Sequence, residues 1–325
     1  MRAIVCRELS GPSSLQLEDL AEACPGPGQL RIRVRACGVN FADSLITRGQ
    51  YQKQPPLPFS PGFEISGEVL DLGSGVTAFE RGDRVLAMLP CGGYAEQAIA
   101  DVQRCLRIPA EMSWQHAAAF PVVFGTSHIA LWHRARLRAG ETLVVHGSSG
   151  GVGLTAVAIG KQLGATVIAT ASSPAKLEVA RAHGADHLID SSRDDVRERI
   201  KELTAGRGAD VVYDPVGGDL FTASLRSIAF EGRILIIGFA AGGVPQIPAN
   251  HLLVKNVDVI GVNWPAYVDL NPEVMTESFQ TLIRWYLDGA IKPHVSATYP
   301  LEQACEALEQ VVSRKSTGKV VITMD

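Results

Sequence analysis

One stretch decides most of the architecture. The chain is apolar from Leu143 to Val145, reads His146-Gly-Ser-Ser-Gly-Gly-Val-Gly153, and continues to Lys161 in a helical pattern. Strand, glycine turn and helix in that order let a backbone approach a pyrophosphate, whose charge then rests at the helix N-terminus. Gly150, Gly151 and Val152 are the residues placed to make that contact. The Gly-x-Gly-x-x-Gly fingerprint is met only in part, because Ser148 stands where its first glycine would be.

A second apolar run, Ala165 to Thr170, follows the helix and completes a βαβ unit. Roughly 20 residues past the turn an acid would hold the ribose hydroxyls of NAD. Here the chain has Ala171, then Ser172 and Ser173, with Lys176 one turn on. Hydroxyls and a cation in place of the acid suit a 2′-phosphate, so the cofactor expected is NADPH, read by Ser172 and Lys176. Ser173 and Pro174 also fit an ordinary helix cap and first residue.

The same turn satisfies Gly-x-Ser-x-Gly at Gly147-Ser148-Ser149-Gly150-Gly151, the elbow that carries a hydrolase nucleophile. A serine hydrolase would also need an acid and then a histidine downstream. His183, His187, His251 and His294 are present, but none stands in a telling context.

The alternation continues through strands at His187–Ile189, Asp210–Tyr213, Arg233–Ile237 and Val257–Val262. Helical patterns lie between them at Pro174–His183, Asp194–Leu203 and Leu220–Ala229. Such a series implies a parallel, doubly wound sheet with right-handed crossovers. A helix is expected over Thr126–Arg138 before the series and another from Asn271-Pro272 after it. The first third is different. Leu30, Ile32, Val34 and Ala36 alternate with Gln29, Arg31, Arg33 and Arg35, the period of a strand with one wet face. Further short strands at Glu64–Leu70, Arg84–Met88 and Tyr94–Ile99 argue for a β-rich module. The ends read as helix at Leu301–Val312 and strand at Lys319–Thr323.

Composition narrows the classes of function. At 325 residues and 46% hydrophobic, the chain can bury a large core. A net charge of −4 with interspersed signs gives no basic surface for nucleic acid or an anionic membrane. No apolar stretch is long enough to span a bilayer, and the N-terminus lacks a signal-peptide core. The expected location is cytoplasmic. The six cysteines lack Cys-x-x-Cys spacing and read as reduced and structural.

The whole chain resembles the medium-chain dehydrogenase/reductase superfamily, most closely its zinc-independent quinone oxidoreductase branch. The matching stretches include Ala36-Cys-Gly-Val-Asn-Phe-Ala-Asp43, Pro61-Gly-Phe-Glu-Ile-Ser-Gly67 and Gly92-Gly-Tyr-Ala-Glu96. Later come Phe124-Gly-Thr126, the Gly147–Gly153 turn, Asp214-Pro-Val-Gly-Gly218 and Gly232-Arg-Ile-Leu-Ile-Ile-Gly-Phe239. The resemblance implies a GroES-like catalytic domain over 1–120, completed by 265–325, and a Rossmann domain over 121–264. It also implies that Asn40 and Tyr51 line the nicotinamide and substrate cleft as carbonyl donors. Asn40 reads equally as a turn-forming residue after a strand, and Tyr51 as packing in a Pro-rich loop. By the same analogy Thr126, Val216, Phe239 and Asn263 contact the cofactor, and Leu45 replaces a second tyrosine common in relatives.

Zinc-dependent members hold their metal through positions that match Asn40 and Phe63, with only Pro121, Val122 and Val123 near the third. Phenylalanine and valine cannot ligate a metal, so no zinc is expected. Without a Lewis acid, reduction of a quinone or another α,β-unsaturated carbonyl is favoured over alcohol dehydrogenation. A non-enzymatic NADPH-binding protein of the same fold is the alternative. The apolar strand Val257–Val262 would form an exposed edge, and relatives pair that edge across a two-fold axis, so a homodimer is expected.

Overall fold

The computed structural model of the protein describes residues 1–324. The chain forms two compact units: Met1–Val122 with the chain from Lys292 onward, and the intervening Val123–Ile291.

The N-terminal unit is β-rich. Its elements are β1 (Arg2–Val5), β2 (Gln16–Asp19), β3 (Gln29–Val39), α1 (Phe41–Ile46), β4 (Glu64–Leu72), β5 (Arg84–Met88), β6 (Gln97–Asp101), β7 (Cys105–Arg107) and α2 (Trp114–Ala118). The alternation in β3 is realised: Leu30, Ile32, Val34 and Ala36 are buried, and the arginines between them reach the wet face. There Arg31 pairs with Glu22 and Asp71, and Arg33 and Arg35 pair with Glu68. Each buried aliphatic side chain contributes about 1.5–3 kcal/mol relative to exposure, and this inner face anchors the unit's core. Beyond Ala36 the strand is covered on both faces. Gly38 is required there, because a Cβ would lie 2.6 Å from Glu64 Oε1 and closer still to the Ala118 carbonyl oxygen. The strand expected from Tyr94 starts later: β6 begins at Gln97, and Tyr94 is buried before it.

The second unit starts in α3 (Pro121–His128), continues as a π-helical segment over Ile129–Arg134, and then alternates. Its elements are β8 (Thr142–Val145), α4 (Gly151–Gln162), β9 (Thr166–Ala171), α5 (Pro174–Ala182), β10 (His187–Asp190), α6 (Val196–Leu203), β11 (Ala209–Asp214), α7 (Gly218–Ser227), β12 (Ile228–Ile236), α8 (Ala249–Lys255) and β13 (Asp258–Gly261). The strands form one sheet in the order β10-β9-β8-β11-β12-β13, and every neighbouring pair is parallel. This is the doubly wound α/β sheet read from the sequence, with the strand order reversing between β8 and β11.

Three boundaries differ from the sequence reading. The helix expected at Thr126 starts at Pro121, since proline is suited to a first helical position, and it widens to π geometry at Ile129. Helix α7 stops at Ser227 because Ile228 pairs with Ala209 and begins β12. Residues 265–291 fall in the second unit, not with the first as expected. There α9 (Ala266–Leu270) and α10 (Pro272–Leu287) lie, and Met275, Phe279 and Leu282 on α10 are buried. Phe279 meets the Trp264 ring edge-on, and His128 Nδ1 and Ser278 Oγ lie 2.9 Å apart. The break at Trp264-Pro265 ends the alternation without ending the unit.

The chain then returns to the first unit with β14 (Val295–Pro300), α11 (Ala304–Val312) and β15 (Lys319–Thr323). Strand β15 pairs antiparallel with β3, placing Val320 opposite Val39. The order of the larger sheet is β14-β15-β3-β4-β5-β7, with β6 also on β3. Among the described residues no helix is long and apolar enough to cross a membrane.

Candidate functional site

The glycine turn after β8 sits at the strand-order reversal. Gly147 adopts φ +57°, and the Val216 side chain lies where a Cβ on Gly147 would be 3.1 Å from it. A Cβ on Gly153 would run into the Gly147 carbonyl, so the helix can pack on the turn only with glycine there. Gly150 is different: a Cβ there would meet only the Gly147 oxygen, at 3.4 Å. Helix α4 begins with Gly150 as N-cap, and the Leu154 N–H is the one that reaches back to the Gly150 carbonyl, at 2.8 Å. The N–H groups of Gly151, Val152 and Gly153 precede that bond and point out of a twelve-residue helix start. Twelve residues of aligned peptide dipoles behind an uncrowded glycine cap fit a pyrophosphate.

Buried hydroxyls fix this turn, and the sequence reading missed them. Ser148 donates from N–H and from Oγ to the Thr170 carbonyl, both at 3.0 Å, which ties the turn to the end of β9. His146 is fully buried, with Nε2 2.6 Å from Ser224 Oγ and Nδ1 2.9 Å from Thr170 Oγ1. Ser224 gives its one proton to the Leu220 carbonyl, so Nε2–H is the donor and Nδ1 accepts from Thr170. Burial lowers the His146 pKa and keeps the ring neutral. Ser127 Oγ lies 2.9 Å from the Val152 carbonyl and 2.9 Å from the Tyr213 hydroxyl, joining α3 to the first turn of α4. Thr126, its neighbour, is buried beside that junction. No signal short of the fold could have linked these residues, since each pairs across more than one element.

Asp214, at the end of β11, accepts from the N–H groups of Val216 (2.8 Å) and Gly217 (2.9 Å) through Oδ1. That bond shapes the Pro215–Gly217 loop over Gly147. Phe239 stands 3.7 Å from the Cβ position of Gly217, so Val216 meets the glycine turn and Phe239 lies against the loop that carries Val216. Asn263 follows β13, is exposed, and accepts the Ala266 N–H through its carbonyl. At the end of β9, Ala171 is buried and Ser172 exposed. Ser173 caps α5, accepting the Lys176 N–H at 3.4 Å. Ser149 of the alternative elbow bonds to no histidine among the described residues, and His146 is held by Thr170 and Ser224.

The first unit brings together a second group. Asn40 does not present the expected donor. Its Nδ2 donates to the Gly38 carbonyl (3.2 Å) and Glu64 Oε1 (2.9 Å), and its Oδ1 accepts from Lys319 Nζ at 2.8 Å. All three amide positions are engaged because β15 carries Lys319 under the end of β3. The ammonium also donates to Glu64 Oε1 (2.7 Å) and the Val39 carbonyl (2.7 Å), while Glu64 Oε2 accepts the Val122 N–H at 2.8 Å. Glu64 and Lys319 are both buried. Alongside, Asp43 accepts from Asn40 N–H (2.8 Å), Gly62 N–H (3.1 Å) and the Tyr94 hydroxyl (3.1 Å). Burial pushes Asp43 up to about 7 against those three donors.

Tyr51 packs on Phe63, their ring centroids 5.2 Å apart and tilted by 45°. Burial, and then the nearby Asp43 carboxylate, raise its pKa, so the phenol keeps its proton. Asn40 and Phe63, at the positions matching metal ligands, offer an amide oxygen already bonded to an ammonium and a hydrocarbon ring. Among the described residues no group of three or more His, Cys, Asp or Glu side chains is placed to hold a metal ion.

Comparison with known proteins agrees with both halves. The family models for the alcohol dehydrogenase GroES-like domain and the zinc-binding dehydrogenase match residues 26–110 and 151–287. Quinone oxidoreductase-like protein 2 of Rattus norvegicus is 41% identical over 99% of this chain and 92% of its own length. A quinone oxidoreductase of Pseudomonas aeruginosa is 36% identical over 96% of each. The crystal structure of Escherichia coli quinone oxidoreductase complexed with NADPH superposes with a TM-score of 0.93 at 30% identity, covering 100% of both chains. An NADPH-bound relative of the same fold, a matching turn at the sheet's switch point and full-length identity leave one assignment: the chain belongs to the medium-chain dehydrogenase/reductase superfamily, in its quinone oxidoreductase-like branch.

Proposed function

We propose that this oxidoreductase reduces quinones or other α,β-unsaturated carbonyls with NADPH, by hydride transfer and without zinc. The observation that carries the cofactor choice is the end of β9, where buried Ala171 replaces a carboxylate and Ser172 and Lys176 flank the Ser173 cap. Gly150, Gly151 and Val152 hold the pyrophosphate, while Thr126, Val216, Phe239 and Asn263 lie on the nicotinamide side. When bound, NADPH supplies the hydride.

The chain's own part is to bind, orient and donate. The Tyr51 phenol, protonated at neutral pH and braced by Phe63, donates to the acceptor's oxygen as charge develops there. Asn40 has no N–H left for that task. It acts as a positioning residue that fixes the start of α1 above the Lys319–Glu64 pair. The protein is cytoplasmic and pairs as a homodimer through β13, which among the described residues pairs with β12 alone and ends the sheet. Phe230, Leu253 and Val254 on the neighbouring β12 and α8 are 65%, 78% and 76% exposed.

The test is loss of NADPH absorbance on adding 1,4-benzoquinone or 9,10-phenanthrenequinone, corrected for the uncatalysed reaction, alongside a panel of enones. Turnover reduced by Tyr51→Phe supports the reading. NADPH binding without turnover of any acceptor identifies a non-enzymatic NADPH-binding protein instead.

A further inference from the structure

The turn that would meet the 2′-phosphate has a second side, contributed by the loop after β10. Asp190 lies opposite Ala171 in the β9–β10 register, and the next N–H, of Ser191, donates to the Ala171 carbonyl at 2.9 Å. The segment Ser191-Ser192-Arg193 therefore starts from the same point as Ser172.

This loop is rich in acids, and each of its three aspartates accepts a hydrogen bond from a neighbouring backbone N–H. Asp190 Oδ1 accepts from the Ser192 N–H (3.0 Å) and hydroxyl (2.6 Å), and the Asp190 side chain is only 12% exposed. Those two bonds, and then Arg193, hold its carboxyl below the ordinary range. Asp194 Oδ2 accepts the Asp190 N–H at 3.0 Å, and Asp195 caps α6 by accepting the Glu198 N–H at 3.1 Å. The group that reaches out is Arg193, whose side chain is 75% exposed. Its Nε stands 3.8 Å from Asp190 Oδ2, too long for a hydrogen bond. A pair that loose, with its guanidinium in solvent, contributes little, so the guanidinium can turn to another anion at small cost.

We infer that Arg193, carried on the Asp190–Ser192 turn beside Ala171, is a specificity-determining residue that reads the 2′-phosphate of NADPH together with Ser172 and Lys176. The inference rests on the NADPH reading above. Guanidinium geometry suits a phosphate, with two N–H groups directed at two oxygens, whereas Lys176 acts as a point charge. Asp190 serves as a positioning residue: it sets the turn and leaves the planar fork facing solvent.

Isothermal titration at fixed salt, with NADPH, NADH, 2′-AMP and 5′-AMP, tests this on the wild type, Arg193→Gln and Lys176→Gln. Arg193→Gln should weaken NADPH and 2′-AMP about tenfold, the low end for a charge-assisted hydrogen bond, and leave NADH and 5′-AMP within about twofold. Raising the salt should shrink the wild-type preference. Equal weakening of both cofactors, or unchanged NADPH binding in Arg193→Gln while Lys176→Gln loses it, overturns the role of Arg193 alone. A wild type that prefers NADH overturns the cofactor assignment and this inference with it.

Discussion

The buried pair Lys319–Glu64 permits a quantitative test of the first unit. Every group around the Glu64 carboxylate is a donor: Lys319 Nζ, Asn40 Nδ2 and Val122 N–H. Every partner of Lys319 Nζ is an acceptor: Glu64, Asn40 Oδ1 and the Val39 carbonyl. Lys319→Met leaves a carboxylate with no exposure and two neutral donors. Glu64→Gln leaves the ammonium without its hydrogen-bonded counter-charge and turns an amide N–H toward a donor. Breaking one side of such a pair costs about 3–5 kcal/mol, while replacing both sides is often close to neutral. Each single variant should therefore lose about 3–5 kcal/mol, and the double variant should recover at least ~2 kcal/mol of the summed loss. Amide hydrogen exchange at β3, β4 and β15 reads this unit by itself. Single variants that cost under about 1 kcal/mol, or a double variant that is simply additive, would refute the account of a closed, desolvated network.

Other expectations follow from single contacts. Gly153→Ala should push the glycine turn off α4 and weaken NADPH binding at least tenfold, since ~1.4 kcal/mol is tenfold and the displaced atom is backbone; titration checks it. Burial lowers His128 to about 4 in the folded state, against about 6.5 unfolded, so its contribution is present above 6.5 and lost as the pH falls toward 4. The window amounts to roughly 3 kcal/mol, and urea unfolding of the second unit at pH 7 and pH 4.5 should show most of it, with His128→Gln flattening the dependence. If the proposed homodimer forms through β13, wild type should scatter as a dimer and Leu253→Glu with Val254→Glu as a monomer; a dimer mass unchanged by the substitutions places the interface elsewhere. Metal analysis should find far less than one zinc per chain, and activity should survive a chelator.

Legibility followed the range of the interactions. The doubly wound sheet could be read because its signals are local: an apolar run, a glycine turn and a helix start lie within Leu143–Lys161. Val216 and Phe239 were named by resemblance; in the structure Val216 meets Gly147 because Asp214 folds the Pro215–Gly217 loop over it, and Phe239 lies against that loop at Gly217. The tail of the second unit was misassigned because Trp264-Pro265 marks the end of a repeating pattern, whereas contacts such as His128 with Ser278 span 150 residues.

The first unit shows the harder case. In sequence Asn40 looks like an available carboxamide, and nothing near it says otherwise. The cation bonded to it comes from Lys319, 279 residues away, because β15 pairs antiparallel with β3 and delivers that side chain beneath Val39. The strand pattern at Lys319–Thr323 was readable, but a lysine at its first position reads as an exposed end. Its hydrogen-bonded partner Glu64, with the buried Asp43 also near, makes burial of that charge tolerable, and the ammonium in turn gives Glu64 a reason to lie inside. Each residue alone predicts the wrong environment for itself; the pair predicts the right one. The same reasoning limits which groups can do chemistry here. A polar atom whose bonds are all made inside the protein cannot also serve the substrate, which is why the donor proposed above is Tyr51 and not Asn40: the Tyr51 hydroxyl keeps its proton and takes no part in the closed set.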